Sequence, residues 1–301
     1  MPRTIVIGTD GSEHAEAALR FGGALARVRA TRVIVVTAYE HAPAVRGDGG
    51  GFERLAREDA QAIAVRGAAS LCGGDEVRSS VAVGGTLAGA LHAVAELERA
   101  DLLVVAASSR PSVAGRQPGS VTEHVVHHSP CPVAVVPHPD REPAFARIGV
   151  AVDDSAAARA ALDEALALCG DDAQLQLVHA EAPADMAYAW PGTPTPAEQV
   201  RPGTGWLRAL ARKAGDRASI VTREGAPSEV LTELSETLDL LVCGSRDQGP
   251  VRRLLLGSVS THLVRHAHCP TVVVPASAGR VSTQSSCGPD PMESSPARES
   301  I

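Results

Sequence analysis

The chain repeats itself after 138 residues. At that spacing the apolar run of residues 101–105 falls on residues 239–243, and His124 falls on His262 without a gap. The two starts also match, since Asp10 and Asp153 each follow an apolar run. A repeat of this length indicates a duplicated domain rather than a solenoid, whose repeats are about 20–50 residues long. We therefore predict two domains of one fold in these 301 residues.

Short apolar runs alternate with helical patterns along both halves. In the first half we predict strands at residues 5–7, 33–36, 77–83, 102–105 and 133–136. In the second half we predict strands at residues 148–152, 174–178, 218–221, 240–243 and 271–274. This alternation predicts an α/β fold of two tandem doubly wound domains, each a parallel sheet with helices on both faces.

Proline-rich and polar stretches mark the predicted boundaries. Domain 1 is expected at residues 1–138, a charged linker at 139–146, domain 2 at 147–276, and a disordered tail at 277–301. Two Pro- and Gly-rich stretches, 40–51 and 183–202, are predicted to be loops.

Charge and hydropathy exclude several function classes. The net charge of −7 argues against a general nucleic-acid surface and against binding to an anionic membrane. The first residues enter a strand directly, without a signal-peptide pattern, and no apolar run has the length of a membrane span. The six cysteines form no C-x-x-C pair and are predicted to be reduced core residues. We expect a cytoplasmic protein.

One stretch of the second half has the pattern of a phosphate site. A buried strand is followed by Gly244, and a helix is predicted to begin at Gly257 and Ser258. A glycine loop between a strand and a helix N-terminus directs free backbone N–H groups and the helix dipole toward one point. The spacing resembles the G-x2-G-x9-G-[S/T] motif of the universal stress protein (UspA-like) family, with Asp247 in place of the middle glycine.

The resemblance covers both halves and implies a Rossmann-like fold with five strands in the order 3-2-1-4-5. It implies adenine-nucleotide binding, mainly in domain 2, with ATP as the ligand, with or without Mg²⁺. Asp153, and Asp10 in the first half, match the family's adenosine-contacting aspartate, although each is also explained by an Asp turn or a helix cap. The backbone of Ala180 matches an adenine contact, as does Ala38 in the first half. The remaining residues implied for the site are Gly225, Gly244, Arg246, Asp247, Gly257, Ser258, Val259 and Ser260.

The nucleotide motif of the first half is degenerate. Ala106 and Ser109 replace the first two glycines, and Pro118 removes a backbone donor from the loop. Only Gly119 and Ser120 remain as candidate ligand contacts, and a helix start with a serine cap explains both without a ligand. We therefore predict that binding resides in the second half.

Two histidine pairs invite a metal interpretation. His124 and His128 lie four residues apart on one helical pattern, as do His262 and His266. That spacing can hold a metal, but histidines near a helix C-terminus are already favoured by the helix dipole. We predict no metal.

No catalytic constellation is present, so we predict that the chain is not an enzyme and that any ATP hydrolysis is slow and incidental. The predicted function is a nucleotide-dependent stress-response or signalling module with an unidentified protein partner. Two alternatives stay open: a structural or protein-interaction protein without nucleotide, and a slow ATPase. The resemblance also implies that the last strands of the halves, at 133–136 and 272–274, pair within one chain as a pseudo-dimer, and that two chains can form a homodimer.

Overall fold

The computed structural model describes residues 3–29, 32–39, 49–71, 77–83, 86–107, 110–112, 115–117, 120–137, 142–170, 172–181, 205–245 and 257–275. The predicted tail, the whole of the predicted loop 183–202, and residues 139–141 of the predicted linker lie outside this part of the chain. Arg246, Asp247 and Gly119 lie outside it as well.

The first half alternates strands and helices in the predicted order. Its elements are β1 (Thr4–Gly8), α1 (Glu13–Arg29), β2 (Arg32–Tyr39), α2 (Gly49–Ser70), β3 (Val77–Val83), α3 (Leu87–Leu97), β4 (Leu102–Ala106), β5 (Arg110–Ser112), β6 (Gly115–Gln117), α4 (Ser120–His128) and β7 (Val133–Val136).

The second half repeats this order without the short β5–β6 hairpin among its described residues. Its elements are β8 (Arg147–Ala151), α5 (Ala156–Leu168), β9 (Gln174–Glu181), α6 (Gly205–Ala214), β10 (Ala218–Glu224), α7 (Pro227–Ser235), β11 (Leu240–Gly244), α8 (Ser258–His266) and β12 (Thr271–Val274).

Ten strands form one continuous sheet in the order β10-β9-β8-β11-β12-β7-β4-β1-β2-β3. Within each half the strands are parallel and follow the order 3-2-1-4-5, which confirms the predicted fold. The halves meet through β7 and β12, which pair antiparallel with Ala134 opposite Val272. The predicted pairing of the last strands within one chain is therefore confirmed.

Successive strand residues point to opposite faces of the sheet, which creates two core layers. Ile5 and Ile7 belong to the core layer that also contains residues of α1, α5 and α6, whereas Val6 belongs to the layer with residues of α3, α4, α7 and α8. Aromatic residues make up only 2% of the chain, so Ala, Val and Leu fill most of both layers.

Several boundaries differ from the sequence prediction. The strands predicted at 174–178 and 218–221 run on to Glu181 and Glu224, because their parallel ladder continues past the apolar residues. The loop predicted over 40–51 is wrong at its end, since α2 begins at Gly49. The hairpin β5–β6 was not predicted, because each strand has only three residues and neither has an apolar run.

The cysteines in the described residues agree with a reduced core. Cys131, Cys169, Cys243 and Cys269 are buried and carry free thiols. No helix in the described ranges is both long and apolar enough to cross a membrane.

Candidate functional site

A cavity of about 190 Å³ lies at the carboxyl ends of β8, β9 and β11 in the second half. Neighbouring strands β8 and β11 are followed by helices on opposite faces, so this is the point in the sheet where ligands bind in open α/β folds. Six of the predicted residues line the cavity: Asp153, Ala180, Gly244, Gly257, Val259 and Ser260. The other lining residues are Ala151, Val152, Ser155, Ala157, Ala158, Val178, His179, Pro227, Leu231 and Cys243.

Asp153 lies in the turn that joins β8 to α5. Its Oδ1 accepts a hydrogen bond from the backbone N–H of Ser155 at 3.2 Å and also contacts the Ser155 hydroxyl. Ser155 in turn caps α5 by accepting from the N–H of Ala158 at 3.1 Å. The carboxylate is exposed, and the hydrogen bonds that fix this turn use one of its two oxygens. Asp153 therefore shapes the turn and still presents a carboxylate oxygen to a ligand.

Gly244 ends β11 where the first turn of α5 crosses it. A Cβ at this position would lie 2.6 Å from the carbonyl oxygen of Ala157, a distance that real Cβ atoms do not tolerate. Glycine is thus needed for close packing of helix on strand, and this packing sets the width of the cavity.

The N-terminus of α8 forms another wall. Gly257 is its N-cap residue, and no side chain of the described residues caps this end of the helix. The first N–H groups of a helix have no intrahelical acceptor, and together with the helix dipole they favour an anion. The cavity therefore has a built-in anion-binding end.

The two predicted serines of α8 differ in position. The Ser260 hydroxyl is buried and donates to the carbonyl oxygen of Gly257 at 3.1 Å. In this arrangement the Ser260 proton is directed at the backbone, so the donors available to phosphate here are backbone N–H groups. Ser258 is exposed at the first position of α8 and is not among the lining residues.

Gly225 supports the site without lining it. It adopts φ +141°, which favours glycine, and its N–H donates to the carbonyl oxygen of Glu181 at 2.9 Å. The turn delivers Pro227 and Leu231 of α7 to the cavity wall. Gly225 thus contributes to the site through α7.

His179 is a lining residue that the sequence analysis missed. Its Nδ1 lies 3.1 Å from the carbonyl oxygen of Val152, and its ring packs edge-on against Trp206 with centroids 5.1 Å apart. The apolar run ends at Val178, one residue before it, so periodicity placed His179 beyond the strand. The sequence did offer one signal for it: His179 is a polar residue directly before Ala180, which was predicted to contact the ligand at the end of this strand.

Cys243 places a thiol in the wall of the cavity. Burial raises the pKa of its thiol to about 12, so the thiol is protonated at neutral pH. A thiolate is the reactive form of cysteine, and Cys243 therefore acts as a small apolar wall residue.

The first half retains only part of this arrangement. Asp10 Oδ1 accepts from the N–H of Ser12 at 2.9 Å, and Ser12 accepts from the N–H of Ala15 at 3.3 Å, as in the second half. Ala38 lies near the end of β2, and Ser120 is the first residue of α4. The link from β4 to α4 contains the hairpin β5–β6, at the place in the repeat where the second half has its predicted phosphate loop.

The histidine pair on α8 is close but isolated. The rings of His262 and His266 have centroids 4.4 Å apart. Across the described ranges, no three His, Cys, Asp or Glu side chains converge as a metal site would require.

Comparison with known proteins gives consistent matches. The model of the universal stress protein family matches residues 1–137 and 144–275. A universal stress protein of Mycobacterium tuberculosis is 31% identical over 190 residues, which span 57% of this chain and 60% of that relative. One of Thermus aquaticus is 34% identical over 136 residues, which span 45% of this chain and 99% of that relative.

A solved structure extends the likeness over nearly the whole chain. The crystal structure of a universal stress protein from Archaeoglobus fulgidus aligns with a TM-score of 0.68 at 21% identity. The alignment covers 91% of this chain and 98% of that one. At this identity the likeness shows that the two proteins share a fold.

Proposed function

The chain belongs to the universal stress protein family, and from that premise we propose that it is an ATP-binding stress-response or signalling module whose site is the cavity of the second half. One observation carries the proposal. Residues from separate segments, each singled out by the family motif, meet around one cavity beside the uncapped N-terminus of α8. Convergence of this kind is what a ligand site requires.

The lining assigns a role to each part of the nucleotide. The exposed carboxylate of Asp153 accepts from ribose hydroxyls, and the backbone of Ala180 contacts the adenine ring. The phosphates lie toward the N-terminus of α8, where Gly257 and Val259 bring backbone N–H groups to the cavity. Residues 246–256, which join Ser245 to Gly257 in the sequence, include three arginines, and in this proposal Arg246 contributes positive charge for the phosphates.

The size of the cavity suits the nucleoside part of the ligand. Its volume of about 190 Å³ is below the ~300–1,000 Å³ typical of sites that enclose a whole small molecule. In the proposed complex the base and ribose fill the cavity, and the triphosphate, with or without Mg²⁺, extends out of it past the N-terminus of α8.

The module acts by shifting between nucleotide-dependent loop states that a protein partner in the cytoplasm distinguishes. It is not an enzyme in this proposal, and hydrolysis is incidental. The antiparallel pairing of β7 with β12 supplies a pseudo-dimer within one chain, and two chains can associate further as a homodimer.

A second candidate function has specific support. The Asp turn forms in both halves with the same hydrogen bonds, and packing alone explains Gly244. A structural or protein-interaction protein without nucleotide would retain both features.

Calorimetric titration of MgATP into the full chain separates these functions. Asp153→Asn keeps the turn, because an Asn oxygen also accepts from the N–H of residue 155, but it removes the charge. Loss of a charge-assisted bond of about 1.5–3 kcal/mol predicts affinity weakened by roughly ten- to a hundred-fold. Asp10→Asn makes the same change in the equivalent turn and is expected to leave ATP binding unchanged.

The other outcomes are also decisive. Absence of heat at millimolar ATP would favour the interaction protein, and a loss confined to Asp10→Asn would move the site to the first half. Phosphate release measured in the same samples tests the ATPase alternative, which requires turnover that disappears with Asp153→Asn.

A further inference from the structure

The first half contains a larger cavity that the nucleotide proposal does not use. It has a volume of about 540 Å³ and runs between α1 and α2, from the β1–α1 turn to the linker residues Glu142 and Pro143. It lies on the sheet face that carries α1 and α5. The residues that line it differ entirely from those of the second-half cavity.

Three arginines line this groove: Arg20 and Arg27 on α1, and Arg66 on α2. All three are exposed, and none forms an ion pair or a hydrogen bond with another described side chain. Arginine stays charged at every physiological pH, so the groove carries a fixed positive charge on both of its walls.

The floor of the groove is apolar and open. Leu19 and Leu71 are buried beneath it. A Cβ on Gly23 would lie 2.8 Å from Leu71 Cδ2 and 3.8 Å from Arg27 Nη1. Glycine at this position therefore lets Leu71 pack closely against α1 beneath the groove, and the Arg27 guanidinium lies within van der Waals distance of the same point.

The second half carries a different charge at the matching position. Asp163 follows Arg20 by 143 residues, the spacing that also relates Asp10 to Asp153. Asp163 on α5 forms an ion pair with Lys213 on α6, so opposite charges join the two helices there. The first half instead places arginines on both helices, and an anion bound between them would offset their mutual repulsion.

We propose that the α1–α2 groove is a second ligand site that binds a small phosphorylated molecule with at least two negative charges. Glu16 and Glu142 also line the groove, so the lining has a net charge of only +1, and a single weak anion gains little. Guanidinium groups hold phosphate oxygens through paired charge-assisted hydrogen bonds. A volume of about 540 Å³ falls in the range of small-molecule sites, roughly 300–1,000 Å³.

Titration calorimetry of the full chain with inorganic pyrophosphate tests this site. We expect binding that weakens at least tenfold in the double variant Arg20→Glu, Arg66→Glu. The control is Arg57→Glu, Arg208→Glu, which changes two exposed arginines outside both cavities and alters the net charge equally. Because all four side chains are exposed, both variants are expected to fold, which thermal unfolding checks.

Each outcome bears on the proposal. Binding lost in the groove variant and kept in the control supports it, as does loss of one of two binding steps. Pyrophosphate binding that is unchanged in the groove variant, or equally weakened in the control, overturns it, as does absence of binding at several millimolar. The ATP titrations of Asp153→Asn rest on different residues, so either proposal can fail without the other.

Discussion

Gly244 at the end of β11 lies against Ala157 in the first turn of α5, where a Cβ would lie 2.6 Å from the Ala157 carbonyl oxygen. The family motif explains this glycine by the ligand, whereas the contact explains it by packing. The two explanations are compatible, because the residues that cross so closely also line the cavity. In the first half Ala106 stands at the matching position, 138 residues earlier.

Substituting Gly244 by alanine should therefore affect stability before any ligand is added. The added methyl group must push α5 away from β11, and overpacking of this kind costs about 1–3 kcal/mol. Urea denaturation should show a lower free energy of unfolding with an unchanged slope. Gly205→Ala is the control, since nothing lies within 4 Å of a Cβ there. Equal stability of both variants would show that α5 can shift away from β11 at little cost, and that packing does not require glycine at position 244.

The repeat and the alternation of apolar runs were sufficient to predict the strands, because a buried parallel strand needs an unbroken apolar run. Strand order came from the family resemblance, since nothing local in the sequence decides which strands are neighbours. The hairpin β5–β6 and the far ends of β9 and β10 could not be predicted. Pairing with a strand distant in the sequence determines the far ends of β9 and β10. The hairpin β5–β6 is local, but its three-residue strands show no apolar alternation that would mark them.

The site was predictable where it depends on strand ends and helix starts. Asp153, Gly244 and Gly257 follow from that rule, and the structure brings them to one cavity. The orientation of the Ser260 hydroxyl toward a carbonyl could not be predicted, because it depends on a rotamer. His179 was missed because its strand extends beyond the apolar residues.

Asp247 lies outside the described residues, and its effect on the ligand stays a prediction. A carboxylate about 5 Å from a phosphate repels it by roughly 1 kcal/mol in water and roughly 3 kcal/mol at an effective dielectric of 20. Asp247→Gly should then tighten MgATP binding by roughly ten- to a hundred-fold in calorimetry. Asp247→Asn separates charge from backbone freedom, and it should recover most of the gain if repulsion dominates. Weaker binding in both variants would mean that the carboxylate holds a metal or a ligand hydroxyl.

His266 gives a pH-dependent contribution to stability. In the folded chain the pKa of His266 lies below its ordinary value of 6.5. Desolvation by burial is the largest cause, and the neighbouring His262 and Arg265 lower it further. Protonation of His266 therefore favours the unfolded chain. The stability that the neutral ring contributes is fully present above about pH 6.5 and is lost as the pH falls through the lower pKa of the folded chain.

The variant His266→Gln should lose less stability than the parent chain between about pH 7.5 and about pH 5.5. The difference should be small because the ring is exposed. Urea midpoints at the two pH values measure it, with His268→Gln as the control on an exposed ring beside Glu236. A pH dependence in His266→Gln that equals that of the parent would contradict this account.

His179 is expected to decide which base the proposed site accepts. Its Nδ1 lies 3.1 Å from the Val152 carbonyl oxygen, so Nδ1 must carry the proton and the neutral ring presents Nε2 as an acceptor. The adenine amino group can donate to such an acceptor, whereas the guanine carbonyl at the same position cannot. A hydrogen bond contributes about 1 kcal/mol net, so His179→Ala should weaken ATP binding about five-fold and leave GTP binding nearly unchanged.

Competitive displacement of a fluorescent nucleotide by ATP and by GTP measures the ratio of the two affinities, with His268→Ala as the distant control. If ATP and GTP weaken equally, His179 acts only through its packing on Trp206, and base selection must come from the backbone of Ala180.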